Sequence, residues 1–131
     1  MVKLGPLKLK AQLFCDGVNA MGPGKADLLE AIEREGSISG AGRAMGMSYR
    51  RTWLLVDAMN RCWHERLVET IAGGGHERGA RVTPFGREVL AGYRALERHL
   101  AHAAEEETRR LTALMRDTPL PPPGRSMEHA A

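Results

Sequence analysis

Hydrophobic positions keep to a two-residue period at the start of the chain. Leu7, Leu9, Ala11 and Leu13 alternate with Lys8, Lys10 and Gln12, which predicts a half-buried strand over residues 7–14 with its lysines outward. A lone strand leaves its backbone edges unpaired, so it needs a partner, either a later hairpin or the same strand of a second copy. Residues 15–24, rich in Gly, Asn, Asp and Pro, predict a loop. The period then becomes helical from Pro23 or Gly24 to Glu35, with Leu28, Leu29 and Ile32 as the apolar stripe and Gly36 as the stop.

Two shorter helical patterns follow, joined across Gly46. Ser37 is placed as an N-cap, and Ile38, Ala41 and Ala44 or Met45 recur at helical spacing. Gly40, Ala41, Gly42 and Ala44 are small enough for another helix to come close. Gly46 is the residue for which a left-handed turn costs least, and Ser48 caps again. On the second helix Thr52, Val56, Met59 and Trp63, flanked by Leu55 and Cys62, form the face to be buried. The other side, at the helix's start, carries Tyr49, Arg50, Trp53 and Asp57, with Arg51 nearby. Such a pair reads as a helix-turn-helix. A helix start tipped with guanidiniums and aromatic rings suits a duplex groove, because arginine pairs bidentately with guanine edges or grips phosphates. The alternative makes Tyr49 and Trp53 core residues and the arginines a solvated face.

Residues 67–71 and 80–83 are extended patterns around the tip AGGGHERGA, so a hairpin directly follows the second helix as a wing. His76, Arg78 and Arg81 are placed to touch a phosphate or enter the adjacent minor groove, unless the tip is merely solvated. The triple glycine lacks the spacing and the lysine of a phosphate-binding loop. Thr83 and Pro84 then open a helix well, as cap and first helical residue. Phe85, Val89, Tyr93, Leu96, Leu100, Ala103 or Ala104, Leu111 and Leu114 recur in steps of three and four across residues 84–115. A body of this size cannot cover so long a stripe, which predicts a homodimer through this helix, with Leu9 of the first strand also at the interface. Glu105, Glu106 and Glu107 interrupt the stripe, and with Arg109 and Arg110 they either pair across the interface or mark a fraying end. Residues 116–131 form a proline-rich tail without pattern, expected to be disordered.

Composition adds little to this and its distribution adds more. The 131 residues suffice for one domain, placed at 1–115, and a net charge of +3 is too mild to argue for nucleic acid by itself. Between residues 37 and 66, however, Arg43, Arg50, Arg51, Arg61 and Arg66 face only Asp57 and Glu65. The positive excess sits on the helix pair. Cys15 and Cys62 are far apart, without a CxxC motif or a secretory signal, and read as reduced, partly buried thiols of a cytoplasmic protein. His99 and His102 share a helix face but lack a third ligand, so no metal is expected. No cofactor signature and no grouping of nucleophile, base and orienting residue points to an enzyme, and no run is long enough to span a membrane.

Gly36-Ser37-Ile38-Ser39, Ala41, Ala44, Gly46-Met47-Ser48-Tyr49-Arg50-Arg51, Trp53, Asp57, Met59-Asn60, Leu67-Val68-Glu69 and Thr83-Pro84 with Gly86 resemble the DNA-binding domain of the ModE family of molybdate-responsive transcription regulators. More distantly the pattern is similar to the winged helix-turn-helix of LysR-type regulators. The resemblance covers roughly residues 7–115, and Ser-Tyr-Arg followed by Trp at this spacing is far more specific than a generic helix-turn-helix. It implies a mainly α fold with a small β component, in which the first strand and the long last helix join two copies. It also implies that two recognition helices enter successive major grooves of a palindromic operator. In the full-length family a pair of C-terminal β-barrel domains binds molybdate or tungstate. Here only the proline-rich tail follows the last helix, so molybdate is not expected to bind this chain.

The function expected is that of a sequence-specific, double-stranded-DNA-binding transcription regulator acting as a homodimer without a cofactor. Arg43 and Arg61 are candidates for anchoring on the backbone, and Tyr49 and Arg50 for reading base edges. Trp53 is assigned to a thymine methyl or sugar, and Ser48 to a phosphate or to capping. Arg51, His76, Arg78 and Arg81 complete the expected contact set. The rival function is a winged-helix docking or co-regulator module without specific DNA binding.

Overall fold

The computed structural model describes residues 1–72 and 79–124. Its first 21 residues form two hairpins. β1 (Val2–Leu4) pairs antiparallel with β2 (Leu7–Leu9), and β3 (Leu13–Cys15) with β4 (Val18–Met21). The single strand expected over residues 7–14 is therefore broken between Leu9 and Leu13, and the loop expected after it is half of a hairpin. Both partners come from within the first 21 residues of the chain, neither from a later hairpin nor from a second copy. The cause is local: Asp16 and Gly17 both take positive φ, 44° and 84°, the backbone of a tight two-residue hairpin turn, for which Asp-Gly is a favoured pair.

Three helices then build the core. α1 (Pro23–Glu35) ends at Gly36, whose φ of 74° lets its N–H return to the Ile32 carbonyl at 2.8 Å. α2 (Ile38–Ala44) is capped by Ser37 Oγ, which accepts from Gly40 N at 3.0 Å. α3 (Tyr49–Cys62) is capped by Ser48 Oγ, which accepts from Arg51 N at 3.1 Å. The turn between them uses Gly46 at φ 70°. Gly42 lets the two helices meet, since a Cβ there would run into the Thr52 side chain of α3. The helix-turn-helix thus has the expected caps, turn and buried face: Thr52, Val56 and Met59 are fully enclosed with Leu28, Leu29, Ile32, Ile38 and Ala41.

A wing follows. β5 (Val68–Ile71) pairs antiparallel with β6 (Gly79–Val82), Val68 opposite Val82 and Ile71 opposite Gly79. Its base is fixed from three sides. Asn60 Oδ1 accepts from the Leu67 and Val68 N–H groups at 2.9 and 3.1 Å while its Nδ2 donates to the Val68 carbonyl at 3.0 Å. Thr83 Oγ1 donates to the Arg66 carbonyl at 2.7 Å, and Ala80 N donates to the Gly36 carbonyl at 2.9 Å. The winged helix-turn-helix read from the pattern is the fold of the chain.

The last helix is not continuous. α4 (Pro84–Ala103) is capped by Thr83, and α5 (Glu105–Leu114) is set off from it at Ala104, a turn residue at φ −88° and ψ −4° whose N–H still bonds the Leu100 carbonyl at 3.1 Å. Three glutamates open α5, a placement that its helix dipole favours, and Glu106 pairs with Arg110 at 2.8 Å on its own helix. Arg94 of α4 is the hub of a polar cluster, bonding Glu97 at 2.8 Å and Asp27 and Glu30 of α1 at 2.7 Å each. Burial disfavours the Glu97 carboxylate, yet Arg94 holds its pKa below the ordinary value. Tyr93, 3% exposed, donates from its hydroxyl to the Ala11 carbonyl at 2.7 Å. Burial, with Glu97 adding, pushes its phenol up to about 12.

Candidate nucleic-acid interface

Ser48 starts α3 and turns its first residues outward. Tyr49 is 63% exposed, Arg50 and Arg51 are exposed, and Trp53 is half-buried one turn on. Tyr49 and Trp53 meet edge to face with ring centroids 6.0 Å apart, so the aromatic pair is preset at the helix tip. Trp53 also packs against the core, and its indole N–H is shut off from solvent without an acceptor. One edge of the ring supports the core, and the other lines the surface.

A cleft of about 300 Å³ runs between the helix pair and the wing, lined by Ile38, Ser39, Tyr49, Trp53, Thr70 and Ala80. Thr70 escaped the sequence reading, and Ser39 was read there only as a matching residue, because the cleft joins separate elements. Asn60 escaped it as well, although Met59-Asn60 was among the matching residues, because its function of holding the wing's base depends on the fold around it.

The arginines divide into two groups. Arg43, Arg50 and Arg51 are exposed and have no carboxylate within salt-bridge reach among the described residues. Arg61, on the last turn of α3, is paired with Asp57 at 2.9 Å, and Arg81 on β6 is paired with Glu69 across the hairpin. The two paired guanidiniums are partly neutralised where the other three are not. His76 and Arg78 lie outside the described residues.

The positions assigned to dimerisation also separate. Leu9, Phe85, Val89 and Leu96 are half-buried, and Phe85 and Val89 already pack on the core. Tyr93 corrects the expectation outright: it is enclosed within its own chain, its hydroxyl spent on Ala11, and has no face left for a second copy. Leu100, Leu111 and Leu114 are 37%, 66% and 85% exposed. Cys15 is exposed rather than partly buried, and Cys62 is half-buried, its thiol pushed above its ordinary pKa by burial and by Cys15. Among the described residues no three His, Cys, Asp or Glu side chains are grouped as metal ligands, and no helix is long and apolar enough to cross a membrane.

The molybdenum transport protein ModE of Azotobacter vinelandii is 39% identical over 102 residues, which is 78% of this chain and 38% of that protein. The chain is a relative of the ModE regulators. The molybdenum-pterin-binding protein MopA of Rhodobacter capsulatus is 39% identical over 75% of the chain and 37% of its own length. The DNA-binding transcriptional dual regulator ModE of Escherichia coli K12 is 34% identical over 66% of the chain and 31% of its own length. The chain thus spans less than two fifths of the length of these ModE relatives. Among solved structures, the full-length LysR-type regulator LysG of Corynebacterium glutamicum aligns over 75% of the chain and 31% of its own, at 26% identity and a TM-score of 0.44. No family model matches the sequence.

Proposed function

We propose that this ModE relative is a sequence-specific DNA-binding transcription regulator that acts in the cytoplasm as a homodimer on a palindromic operator. The observation that carries the reading is the start of α3, where an edge-to-face aromatic pair and two arginines without carboxylate partners stand outside a firmly buried helix. Leaving such a surface in water has no structural use. In a major groove it supplies bidentate donors and apolar contact together.

In this reading Arg50 and Tyr49 reach base edges, Trp53 packs on a thymine methyl or sugar, and Arg51 and Arg43 hold phosphates. Arg61 and Arg81 each have to exchange a carboxylate for DNA, so their contribution is smaller than that of the three unpaired arginines. The exposed leucines Leu100, Leu111 and Leu114 join two copies, setting two recognition helices about 34 Å apart for half-sites one turn apart. Molybdate is not a ligand in this account, and titration with molybdate is expected to give no heat.

The decisive experiment compares the wild-type chain with Arg50→Ala on operator and scrambled duplex by fluorescence anisotropy. Arg50→Ala is expected to lose about 1–3 kcal/mol at one base position and to relax preference there. An unchanged preference would remove Arg50 from base reading. Affinity that hardly responds between about 50 and 200 mM salt would favour the docking-module reading instead.

A further inference from the structure

On the other side of the α2–α3 turn, away from the wing cleft, lies a second cavity of about 200 Å³. Its cations come from three elements that are distant in sequence: Lys10 between the two hairpins, Lys25 in the first turn of α1 and Arg51 in the first turn of α3. None of the three lies within salt-bridge distance of a carboxylate among the described residues, and no Asp or Glu lines the cavity. Arg34, Arg61, Arg81, Arg87, Arg94 and Arg110 each have a carboxylate, whereas these three, like Arg43 and Arg50, have none among the described residues. Here three positive groups converge with no internal counter-charge.

Among the rest of the lining, Asn19 has its acceptor Oδ1 buried with no hydrogen-bond partner, so toward an anion only its Nδ2 amide could donate. Gly22 caps α1 without any side-chain bond, and the first turn of that helix holds no acidic residue. Burial pulls the Lys25 ammonium below its ordinary pKa, Cys62 opposes this and Arg51 adds to it. A partly enclosed lysine facing an arginine costs stability unless an anion joins them.

We propose that this cavity seats a backbone phosphate of the bound DNA, held by Lys10, Lys25 and Arg51, so that the N-terminal hairpins and α1 extend the contact made by α3. The proposal rests on the DNA-binding reading above. Its ligand chemistry is that of a singly charged oxyanion with two free non-bridging oxygens, which a phosphodiester offers. The commitment to DNA comes from continuity: Arg51 belongs both to this cavity and to the exposed start of α3, and Met45 and Met47 of the helix-turn-helix turn form the wall between. A strand entering the groove read by α3 passes this mouth.

The test measures affinity against salt between about 50 and 200 mM for the wild-type chain and for the double variant Lys10→Gln/Lys25→Gln, on operator and on scrambled duplex. The variant is expected to flatten the salt slope by up to about one, equally on both duplexes, because the one lost phosphate contact removes about 0.9 from it. The ratio of operator to scrambled affinity stays the same. Without DNA, the melting temperature of Lys25→Gln holds or rises, because removing the cation relieves repulsion from Arg51; a purely structural lysine would give a fall. A folded double variant with the wild-type slope would overturn the site while leaving the DNA reading in place. A wild-type chain that binds neither duplex would overturn that reading and this site with it. Inorganic phosphate at millimolar concentration is expected to leave the wild-type melting temperature unchanged. A rise that the double variant lacks, with an unaltered slope on DNA, would reassign the cavity to a free oxyanion and overturn the DNA assignment.

Discussion

Asn60 holds together the two parts on which the proposed contact depends. One amide satisfies two N–H groups and one carbonyl where the chain leaves α3 and starts the wing. Asn60→Ala leaves the Leu67 and Val68 donors without their partner in a place where both residues are fully buried. An unpaired buried donor costs about 1–3 kcal/mol, so a lower urea midpoint with an unchanged m-value is expected. Tyr93 can be tested by pH. Its folded pKa lies near 12 and its ordinary value at 10.0, so the stability it contributes is whole below pH 10 and is lost as pH rises towards 12. Tyr93→Phe is expected to lose about 1 kcal/mol at neutral pH through the bond to Ala11 and to show a shallower alkaline decline. An identical decline in both proteins would show that another group titrates there. Glu97 works in the opposite direction: its depressed pKa gives stability that is present above the ordinary carboxylate range and disappears on acidification.

At the scale of elements, the helices and the two wing strands were legible and the short N-terminal strands were not. Ser37, Ser48 and Thr83 each accept the backbone bond expected of a cap, because capping is settled within three residues. The buried stripe Thr52, Val56, Met59 was legible for the same reason, as its period is a property of one helix. Residues 7–14 misled because alternation continues across Lys10–Gln12 although the pairing does not; Gly5 and the Asp16-Gly17 pair, both turn signals, fix where each hairpin folds back. The break at Ala104 has no Pro or Gly to announce it. Three successive glutamates are better placed at a helix start than in a helix interior, and the chain supplies that start by restarting the helix. Gly42→Ala tests a close contact between elements: the added methyl meets Thr52 Oγ1 and should loosen the α2–α3 pair, lowering the melting temperature, with Thr52→Ala, which removes that oxygen, giving partial rescue. If Gly42→Ala were neutral, the close approach would not be what sets the crossing.

For the molecule as a whole, the candidate site was partly legible because Tyr49, Arg50, Arg51 and Trp53 share one helix start. The partners of Arg61 and Arg81, the inward turn of Tyr93 and the convergence of Lys10 with Lys25 each depend on elements meeting, which no local period encodes. Two-fold assembly is the largest remaining inference, and it rests on the exposed leucines beyond Tyr93. Leu111→Glu with Leu114→Glu is expected to convert the dimer to monomer in analytical ultracentrifugation and to weaken operator binding by far more than binding to a single half-site. A dimer that survives both changes would place the interface elsewhere. The most direct test of the central claim, that the start of α3 reads duplex DNA in a paired arrangement, is selection of bound fragments from random double-stranded DNA by the purified chain. The account predicts an enriched inverted repeat with half-site centres one helical turn or a multiple of it apart, lost when Arg50 is replaced by Ala. Recovery of fragments with no common sequence, or of the same repeat by Arg50→Ala, would contradict it.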